Sequence, residues 1–253
     1  MAESEYTRTT TATIGTDGAS PATRPRANAI LNRLSDDQLK TLLPKFKLVK
    51  LKRGDILYEP DDKIEYVYYP TSGVISLLAT FEDGTTVEAG LTGNEGMMGT
   101  ACVLGADTTP HQALVQISGE ALRMTYGDLR AQVGQDGAFL AAMLTYTNLL
   151  FVMVAQTAAC NRMHTLEQRL ARWLLLTDDR VSGSELELTQ DFISRMLGVR
   201  RAGVTVAANE LRQRGIIEYR RGNVIVLDRK GLEQTSCECY ELVKQQYDRY
   251  LTN

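Results

Sequence analysis

The spacing of apolar residues changes character along the chain. Residues 46–126 hold short apolar runs, such as LVKL, YVYY and HQALVQI, which are separated by turn signals such as RGD and EDG. Runs of this length, rich in β-branched and aromatic residues, predict a small antiparallel barrel or sandwich. From about residue 136 the apolar residues recur at steps of three and four, which is typical of helices. The pattern therefore predicts an α+β protein whose strands precede its main helices.

Two helix starts are marked by capping boxes. Ser35 begins the sequence S-D-D-Q, and Thr165 begins T-L-E-Q. In such a box the first hydroxyl and the fourth side chain each bond a backbone amide of the first helical turn. The helical phase is broken between Asn161 and Thr165, so we expect a hinge there.

The chain divides into four parts on these patterns. Residues 1–27 are rich in Thr, Ala, Gly and Pro, and they carry too little apolar surface to offset the entropy of ordering, so we expect a disordered tail. A domain of short antiparallel strands, a small barrel or sandwich, is expected at 28–135. A central helix with its hinge is expected at 136–163, and a third domain at 164–253.

Between Asp136 and Arg162 the chain carries 25 residues without a charge. The segment is long enough to span a bilayer, but it is interrupted by Thr, Tyr, Asn and Gln, and we interpret it as a buried helix and expect no membrane partner. Alternating steps of four and three form a heptad seam, which predicts a homodimer. An alternative is that the helix is apolar all round because it packs against its own barrel. The candidate interface residues are Leu140, Leu144, Thr147, Phe151, Val154 and Ala158.

Residues 188–215 predict two helices joined by a glycine turn. Thr189 is placed as an N-cap, and Gly198 and Gly215 follow the two helices as terminators. The second helix can bury Val204, Ala207, Ala208 and Leu211, which turns Arg201, Ala202 and Thr205 outward, with Arg200 at the start of the helix. A helix-turn-helix protein places its base-reading side chains in this way. The next runs, IIEYR, RGN and VIVLD, predict a hairpin wing that carries Arg220 and Arg221 towards the DNA backbone.

Charge and cysteine usage narrow the class of protein. The net charge is −3, yet Thr189–Lys230 carries nine Arg and Lys residues against four Asp and Glu residues. The cationic field is thus concentrated where the helix pair lies. Four scattered cysteines and the absence of a secretory signal pattern predict a reducing cytoplasm. Cys237 and Cys239 are interpreted as ordinary residues on a C-terminal helix, and we expect no metal and no resident cofactor.

The sequence resembles the Crp/Fnr family of transcription regulators over about residues 30–232, most specifically in LTQDFISRMLGVRRAGVTVAANELRQRGII. The resemblance implies a cyclic-nucleotide-binding-like β-roll, a central dimerisation helix and a C-terminal winged helix-turn-helix. It also implies double-stranded DNA and RNA polymerase as partners. Thr189 and Gln190 match residues that approach phosphate, and the recognition positions fall on Arg200, Arg201, Ala202 and Thr205. Ala202 and Val206 replace a glutamate and an arginine of some members, so we expect a different operator, with Arg201 reading guanine.

The effector region departs further from the family. GNEGMMGTACVLG at 93–105 resembles the phosphate cassette, but Thr100 replaces the acidic residue and His111 replaces the arginine. A cyclic phosphate would therefore meet no fixed cation, and we expect weak or absent cyclic AMP binding, with any effector an unknown small molecule. The candidate pocket residues are Glu95, Gly96, Met98, Gly99, Thr100, His111, Gln112 and Val154.

Other classes of function stay open at this point. The N-terminal cysteine cluster of iron–sulfur members is missing. His111 or His164 could be the axial ligand of a haem in a sensor of the same fold. A cupin-like metalloenzyme needs two or three converging histidines, and the chain has two in all, so no enzyme is expected. A ligand-binding or partner-binding module without DNA is a further alternative.

Overall fold

The computed structural model of the protein describes residues 25–181, 183, 185–220 and 222–252. In chain order the strands are β1 (Lys47–Leu51), β2 (Ile56–Tyr58), β3 (Tyr66–Pro70), β4 (Val74–Thr80), β5 (Thr86–Thr92), β6 (His111–Ile117), β7 (Gly119–Thr125), β8 (Glu185–Leu186), β9 (Ile217–Arg220) and β10 (Asn223–Val226). The helices are α1 (Ala29–Asn32), α2 (Asp36–Leu42), α3 (Thr100–Val103), α4 (Tyr126–Val133), α5 (Gly137–Met163), α6 (Leu166–Asp178), α7 (Gln190–Leu197), α8 (Arg201–Gln213), α9 (Arg229–Thr235) and α10 (Glu238–Thr252).

The chain folds into two compact units. The first unit holds the described residues up to Leu77 together with Leu91–Leu149, and the second holds Leu78–Gly90 and the described residues from Leu150 onward. The disordered tail predicted at 1–27 extends too far, because Pro25–Ala27 forms a turn of 3-10 helix with Pro25 buried. The rest of that tail lies outside the described residues.

Short alternating runs form the predicted strands of the β-roll. One sheet has the order β1-β7-β3 and the other β2-β6-β4-β5. Leu122 of β7 stands opposite Leu48 on one side and Tyr69 on the other, both in antiparallel register. The predicted α+β architecture, with its β-roll, long helix and C-terminal helix pair with wing, is confirmed.

Aromatic side chains fill the core of the first unit. The Tyr69 ring contacts Phe46 edge-on at 5.4 Å between centroids and Phe139 at 6.2 Å. Its hydroxyl lies 3.2 Å from the Met143 sulfur, so the one polar atom of this buried ring has a partner. Phe139 and Met143 belong to the first turns of α5, and the beginning of the long helix is thereby part of this core.

Both predicted capping boxes are present. Ser35 accepts from the Gln38 amide while the Gln38 side chain accepts from the Ser35 amide, and Thr165 and Gln168 do the same. Helix α5 continues to Met163, so the interruption between the helices is confined to His164 and Thr165. It lies inside the segment where the sequence predicts a hinge.

The apolar helix α5 is long enough to cross a bilayer, with a mean hydropathy of 1.9 over its best 18-residue window. Its threonines satisfy their hydroxyls on the helix itself. Thr147, for example, donates to the Met143 carbonyl at 2.8 Å. Phe139, Met143 and Tyr146 are buried in the first unit, and this packing accounts for much of the helix's apolar character.

The second unit is built around α6. Helix α8 packs on α6 and α7, and strand β10 pairs with both β8 and β9 in an antiparallel sheet. The Trp173 indole of α6 donates a 2.9 Å hydrogen bond to Glu88 of β5, the second strand of the β4–β5 hairpin. This hairpin segment, Leu78–Gly90, therefore belongs with the helical unit, which the sequence pattern did not predict.

Gly198 ends α7 in the left-handed conformation at φ +62°. A Cβ built at this position would lie 2.6 Å from Val87 Cγ2, so both the backbone angle and the close approach of the hairpin require glycine. Gly215 follows α8 at φ +71° but has nothing within 4 Å of a hypothetical Cβ. The two glycines share a conformation and differ in their surroundings.

This difference makes a matched pair of substitutions. We expect Gly215→Ala to lower the free energy of unfolding by about 1–2 kcal/mol, the cost of a left-handed alanine. Gly198→Ala should cost more, because the methyl group also collides with Val87. Urea denaturation of both variants measures the difference. Adding Val87→Ala to Gly198→Ala should recover part of the excess loss, and equal losses at the two glycines would show that the Val87 contact is unimportant.

Candidate nucleic-acid interface and effector region

Helix α8 has one buried face and one exposed face. Its buried residues are Val204, Ala207, Ala208 and Leu211. Arg200 is the N-cap residue with extended backbone, and Arg201 is the first helical residue. Arg201 and Ala202 are exposed and Thr205 is half-buried. The predicted outward placement is therefore present for Arg201 and Ala202, and only in part for Thr205.

Arg200 and Arg201 have no ion pair or side-chain hydrogen bond within the described part of the chain, whereas Arg195 and Arg214 do. Arg195 lies 3.6 Å from an Asp191 carboxylate oxygen, and Arg214 lies 2.7 Å from Glu167. These two cations are thus partly neutralised by the protein. The pair at the start of α8 retains its full charge and its donors for a ligand in solution.

A hydrogen bond joins the exposed ends of the two helices. The Thr205 hydroxyl lies 2.8 Å from Gln190 Oε1, where it can donate, and 3.1 Å from the Arg201 carbonyl. Gln190 is the first residue of α7, and Thr189 before it caps that helix by accepting from the Phe192 amide at 3.2 Å. Gln190 is therefore held beside the recognition helix rather than extended into solvent.

The wing turn lies next to the start of α7. A Cβ built at Gly222 would lie 3.6 Å from Thr189 Cγ2. The wing turn and the N-terminus of α7 are therefore close enough to contact the same stretch of a nucleic-acid backbone. Arg220 has a partner of its own, because its Nε lies 3.0 Å from Glu218 Oε1, and this bond raises the pKa of the guanidinium. Arg221, the other predicted wing residue, lies outside the described residues.

Arg169 of α6 holds the C-terminal end of α7 in place. Its guanidinium donates to the Leu197 carbonyl at 2.6 Å and to Asn161 Oδ1 at 3.1 Å. The first bond satisfies one of the last carbonyls of α7, which lack partners within their helix. Burial lowers the pKa of Arg169, and the bond to Leu197 ties α6 to the turn that precedes the recognition helix.

The glycine-rich loop of the effector region faces the core of the first unit. Glu95 is buried and accepts from the Gly93 amide at 2.9 Å. A Cβ at Gly96 would come within 1.9 Å of the Tyr146 ring, whose hydroxyl lies 2.7 Å from Thr92 Oγ1. These two candidate pocket residues therefore shape the loop and pack against the long helix.

The remaining pocket candidates offer little to a phosphate. Gln112 Nε2 donates to a Glu59 carboxylate oxygen at 2.6 Å, which puts a negative charge beside the predicted phosphate position. His111 Nδ1 lies 3.1 Å from Thr109 Oγ1. Gly99 lies before α3 at φ +101°, against Val67, and Thr100 begins that helix. Met98 is buried and its backbone pairs with Tyr68. Val154 belongs to the second unit, where it lies beside Gly90.

The predicted dimer residues form a partly exposed stripe along α5. Phe151 is 70% exposed and Leu144 is 42% exposed, and Ala158 is exposed as well. Leu140, Thr147 and Val154 alternate with them and are half-buried. The structure thus leaves a partly exposed apolar face at the heptad positions of α5.

Sequence reasoning missed one group of side chains. Cys160 and His164 lie one turn apart at the end of α5, and Cys237 and Cys239 lie at the start of α10. Their donor atoms all lie within 4.8 Å of one another. The i,i+4 spacing of Cys160 and His164 and the C-x-C spacing were visible in the sequence, but nothing local indicated that the two pairs meet. The two histidines fall in different units, which leaves one histidine in the β-roll, too few for a cupin-like centre.

Comparison with known proteins agrees with this architecture. The family described as cyclic nucleotide-binding domain matches residues 48–136, and the Crp-like helix-turn-helix domain matches residues 168–235. A comparison with curated proteins finds no match. Together the two family matches span more than half of the chain.

Solved structures share the whole arrangement. FixK2 from Bradyrhizobium japonicum is 17% identical, with a TM-score of 0.65, and the match covers 76% of this chain and 98% of FixK2. The c-di-GMP responsive regulator CLP of Xanthomonas campestris is 17% identical, with a TM-score of 0.62 and coverage of 76% and 99%. A CRP/FNR-family transcriptional regulator from Thermus thermophilus is 20% identical, with a TM-score of 0.60 and coverage of 75% and 98%.

At these identities the structural likeness establishes the fold, and the two domain families establish what the parts are. With a cyclic nucleotide-binding domain followed by a Crp-like helix-turn-helix domain, the chain belongs to the Crp/Fnr family of transcription regulators.

Proposed function

We propose that the protein is a homodimeric regulator that binds specific sites on double-stranded DNA in the cytoplasm. The observation that carries the proposal is the pair Arg200 and Arg201, which is exposed and without an ion pair at the N-terminal end of a helix whose other face is buried. A recognition helix presents these first turns to base edges in the major groove. The role is one of binding rather than catalysis.

The exposed groups sort into two kinds of contact. Arg201 is suited to guanine, whose O6 and N7 accept both arms of a guanidinium. Val206 is 60% exposed and Ala202 is exposed, and such apolar groups suit a thymine methyl. We expect Thr189, Gln190, Arg220 and Arg221 to contact phosphates, and Arg221 lies outside the described residues. Because Arg220 already pairs with Glu218, we expect its contribution to phosphate binding to be small.

The stripe along α5 supports the dimer. Exposed apolar groups at heptad spacing gain most by meeting a second copy of the same helix, since an isologous interface buries the same residues on both sides. Two such subunits would present their recognition helices to half-sites about 34 Å apart, one turn of DNA. The interruption at His164 and Thr165 lies between the dimer helix and the DNA-binding helices, where a change of angle would alter this spacing.

The β-roll is not suited to cyclic AMP in the family's usual manner. Thr100 and His111 supply neither the carboxylate nor the guanidinium of the cassette, and Gln112 is engaged with Glu59. Any effector that does bind must favour one arrangement of the dimer over another, because a ligand with equal affinity for both shifts nothing. A module that binds ligands without DNA is the competing proposal, and a mobility-shift assay with genomic fragments separates the two.

Arg201→Ala should relax sequence specificity at one base pair per half-site. Sites are first selected from random DNA with the unaltered protein, and binding is then measured across single-base operator variants. Loss of a bidentate contact to guanine should remove about 1–3 kcal/mol of discrimination at that position and little elsewhere. Arg220→Ala is the comparison, with a small loss at all sequences. A uniform loss for Arg201→Ala would make it a phosphate contact.

Phe151→Asp should convert the dimer to a monomer, because it places a charge in the middle of the apolar seam. Sedimentation velocity over a range of protein concentrations measures the effect. Leu104→Asp is a matched control, since Leu104 is 66% exposed but lies outside α5, and this variant should remain dimeric. A monomeric unaltered protein that binds its operator at low concentration would contradict the dimer.

Calorimetric titration with cyclic AMP should give no binding tighter than micromolar, because the cassette lacks its charged partners for ribose and phosphate. Replacing Thr100 by Glu and His111 by Arg in one chain should raise the affinity if the loop otherwise has the geometry of the family. Micromolar or tighter binding by the unaltered protein would show that another cation serves the phosphate.

A further inference from the structure

Four soft donor side chains converge at the junction of α5 and α10. Cys160 Sγ lies 3.5 Å from Cys237 Sγ, and Cys239 Sγ lies 3.5 Å from His164 Nδ1. The three cysteines are almost fully buried, and the donor atoms of all four residues lie within 4.8 Å of one another. Four donors thus surround one point in the protein interior.

The two 3.5 Å distances fit the edges of a small tetrahedron. In a zinc site with Zn–S of about 2.3 Å and Zn–N of about 2.0 Å, neighbouring donors are about 3.5–3.8 Å apart. A disulfide requires sulfurs about 2.0 Å apart, well short of the distance between Cys160 and Cys237. The convergence of four donors on one point suits a single ion rather than a cluster of several irons.

The surroundings complete the arrangement. His164 Nε2 lies 3.2 Å from Glu238 Oε2, which would fix the tautomer that leaves Nδ1 free for a metal. Gln156 donates to the Cys239 sulfur at 3.0 Å. A surface cavity of about 290 Å³ is lined in part by Cys237 and Glu238, and it gives an ion a route to the donors.

A buried cation nearby points independently to negative charge at this place. Arg172 is 4% exposed, and its Nε has no hydrogen-bond partner. A second nitrogen of the same guanidinium, Nη2, donates to Thr157 Oγ1 at 3.1 Å. Thr157 lies one turn before Cys160 on α5, so the guanidinium lies along the same stretch of helix as the cluster. A buried arginine is costly unless an anion balances it, and three thiolates around Zn²⁺ carry a net charge of −1.

We propose that Cys160, His164, Cys237 and Cys239 form a tetrahedral Zn²⁺ site that fastens the C-terminal helix α10 to the end of the long helix α5. Its closed Cys3His ligand set is that of a structural zinc site. Zinc binding releases the protons of the cysteine thiols to solvent, because cysteine binds the metal as a thiolate. No oxidant is needed. The site lies beside the interruption at His164 and Thr165, so the ion would hold the last turn of α5 against the C-terminal helix.

Metal analysis of the full chain, prepared under reducing conditions, tests the site directly. We expect about one zinc per chain, and after zinc removal one Co²⁺ should bind with the absorption bands of tetrahedral, thiolate-ligated cobalt. Cys160→Ser and Cys237→Ser should abolish these bands. Cys102→Ser is the control, because Cys102 is buried in the first unit away from the cluster, and it should bind as the unaltered chain does.

Two further variants separate a ligand defect from a folding defect. His164→Asn removes a half-buried ligand and should weaken and reshape the cobalt spectrum while the circular dichroism remains that of the folded chain. Glu238→Gln, at an exposed partner of His164, should keep one Co²⁺ per chain but lower its affinity about 10–100-fold. The proposal is overturned if the unaltered chain binds no zinc or cobalt, if Cys160→Ser gives the same spectrum, or if anaerobically prepared protein holds a disulfide between Cys160 and Cys237.

Discussion

Burial of one face of α8 is the constraint on which the DNA-reading surface depends. Val204, Ala208 and Leu211 are almost completely buried, and this fixes the rotation of the helix about its axis. Once that rotation is fixed, Arg201 and Ala202 point outward, because they lie on the face of the helix opposite to the buried residues. Gly198 makes this packing possible, since its left-handed backbone turns the chain from α7 into α8 within three residues.

The charge of the DNA-reading surface depends on which of its arginines pair with carboxylates of the protein. Arg195, Arg214 and Arg220 each face a carboxylate of the same unit, while Arg200 and Arg201 do not. A negatively charged chain can therefore bind a polyanion at one place without attracting it everywhere.

Features encoded within a few residues were predictable from the sequence, and features that depend on distant contacts were not. The boxes at Ser35 and Thr165 and the cap at Thr189 are local hydrogen-bond patterns, and the structure has all three. The meeting of Cys160 with Cys237 depends on how α10 returns to the end of α5, and no periodicity reports such a contact. The same holds for the Trp173 bond to Glu88, which places a β-hairpin of the sequence's first half in the second unit.

The long helix combines requirements that shorter elements could not meet together. It supplies Phe139 and Met143 to the core of the first unit, leaves Phe151 exposed near its middle, and ends with Cys160 beside the second unit's C-terminal helix. With about 1.5 Å of rise per residue, its 27 residues extend over roughly 40 Å. A continuous helix is stiff along its length, because each turn is hydrogen-bonded to the next. The same element therefore serves the core of the first unit, the exposed apolar face and the cysteine cluster of the second unit.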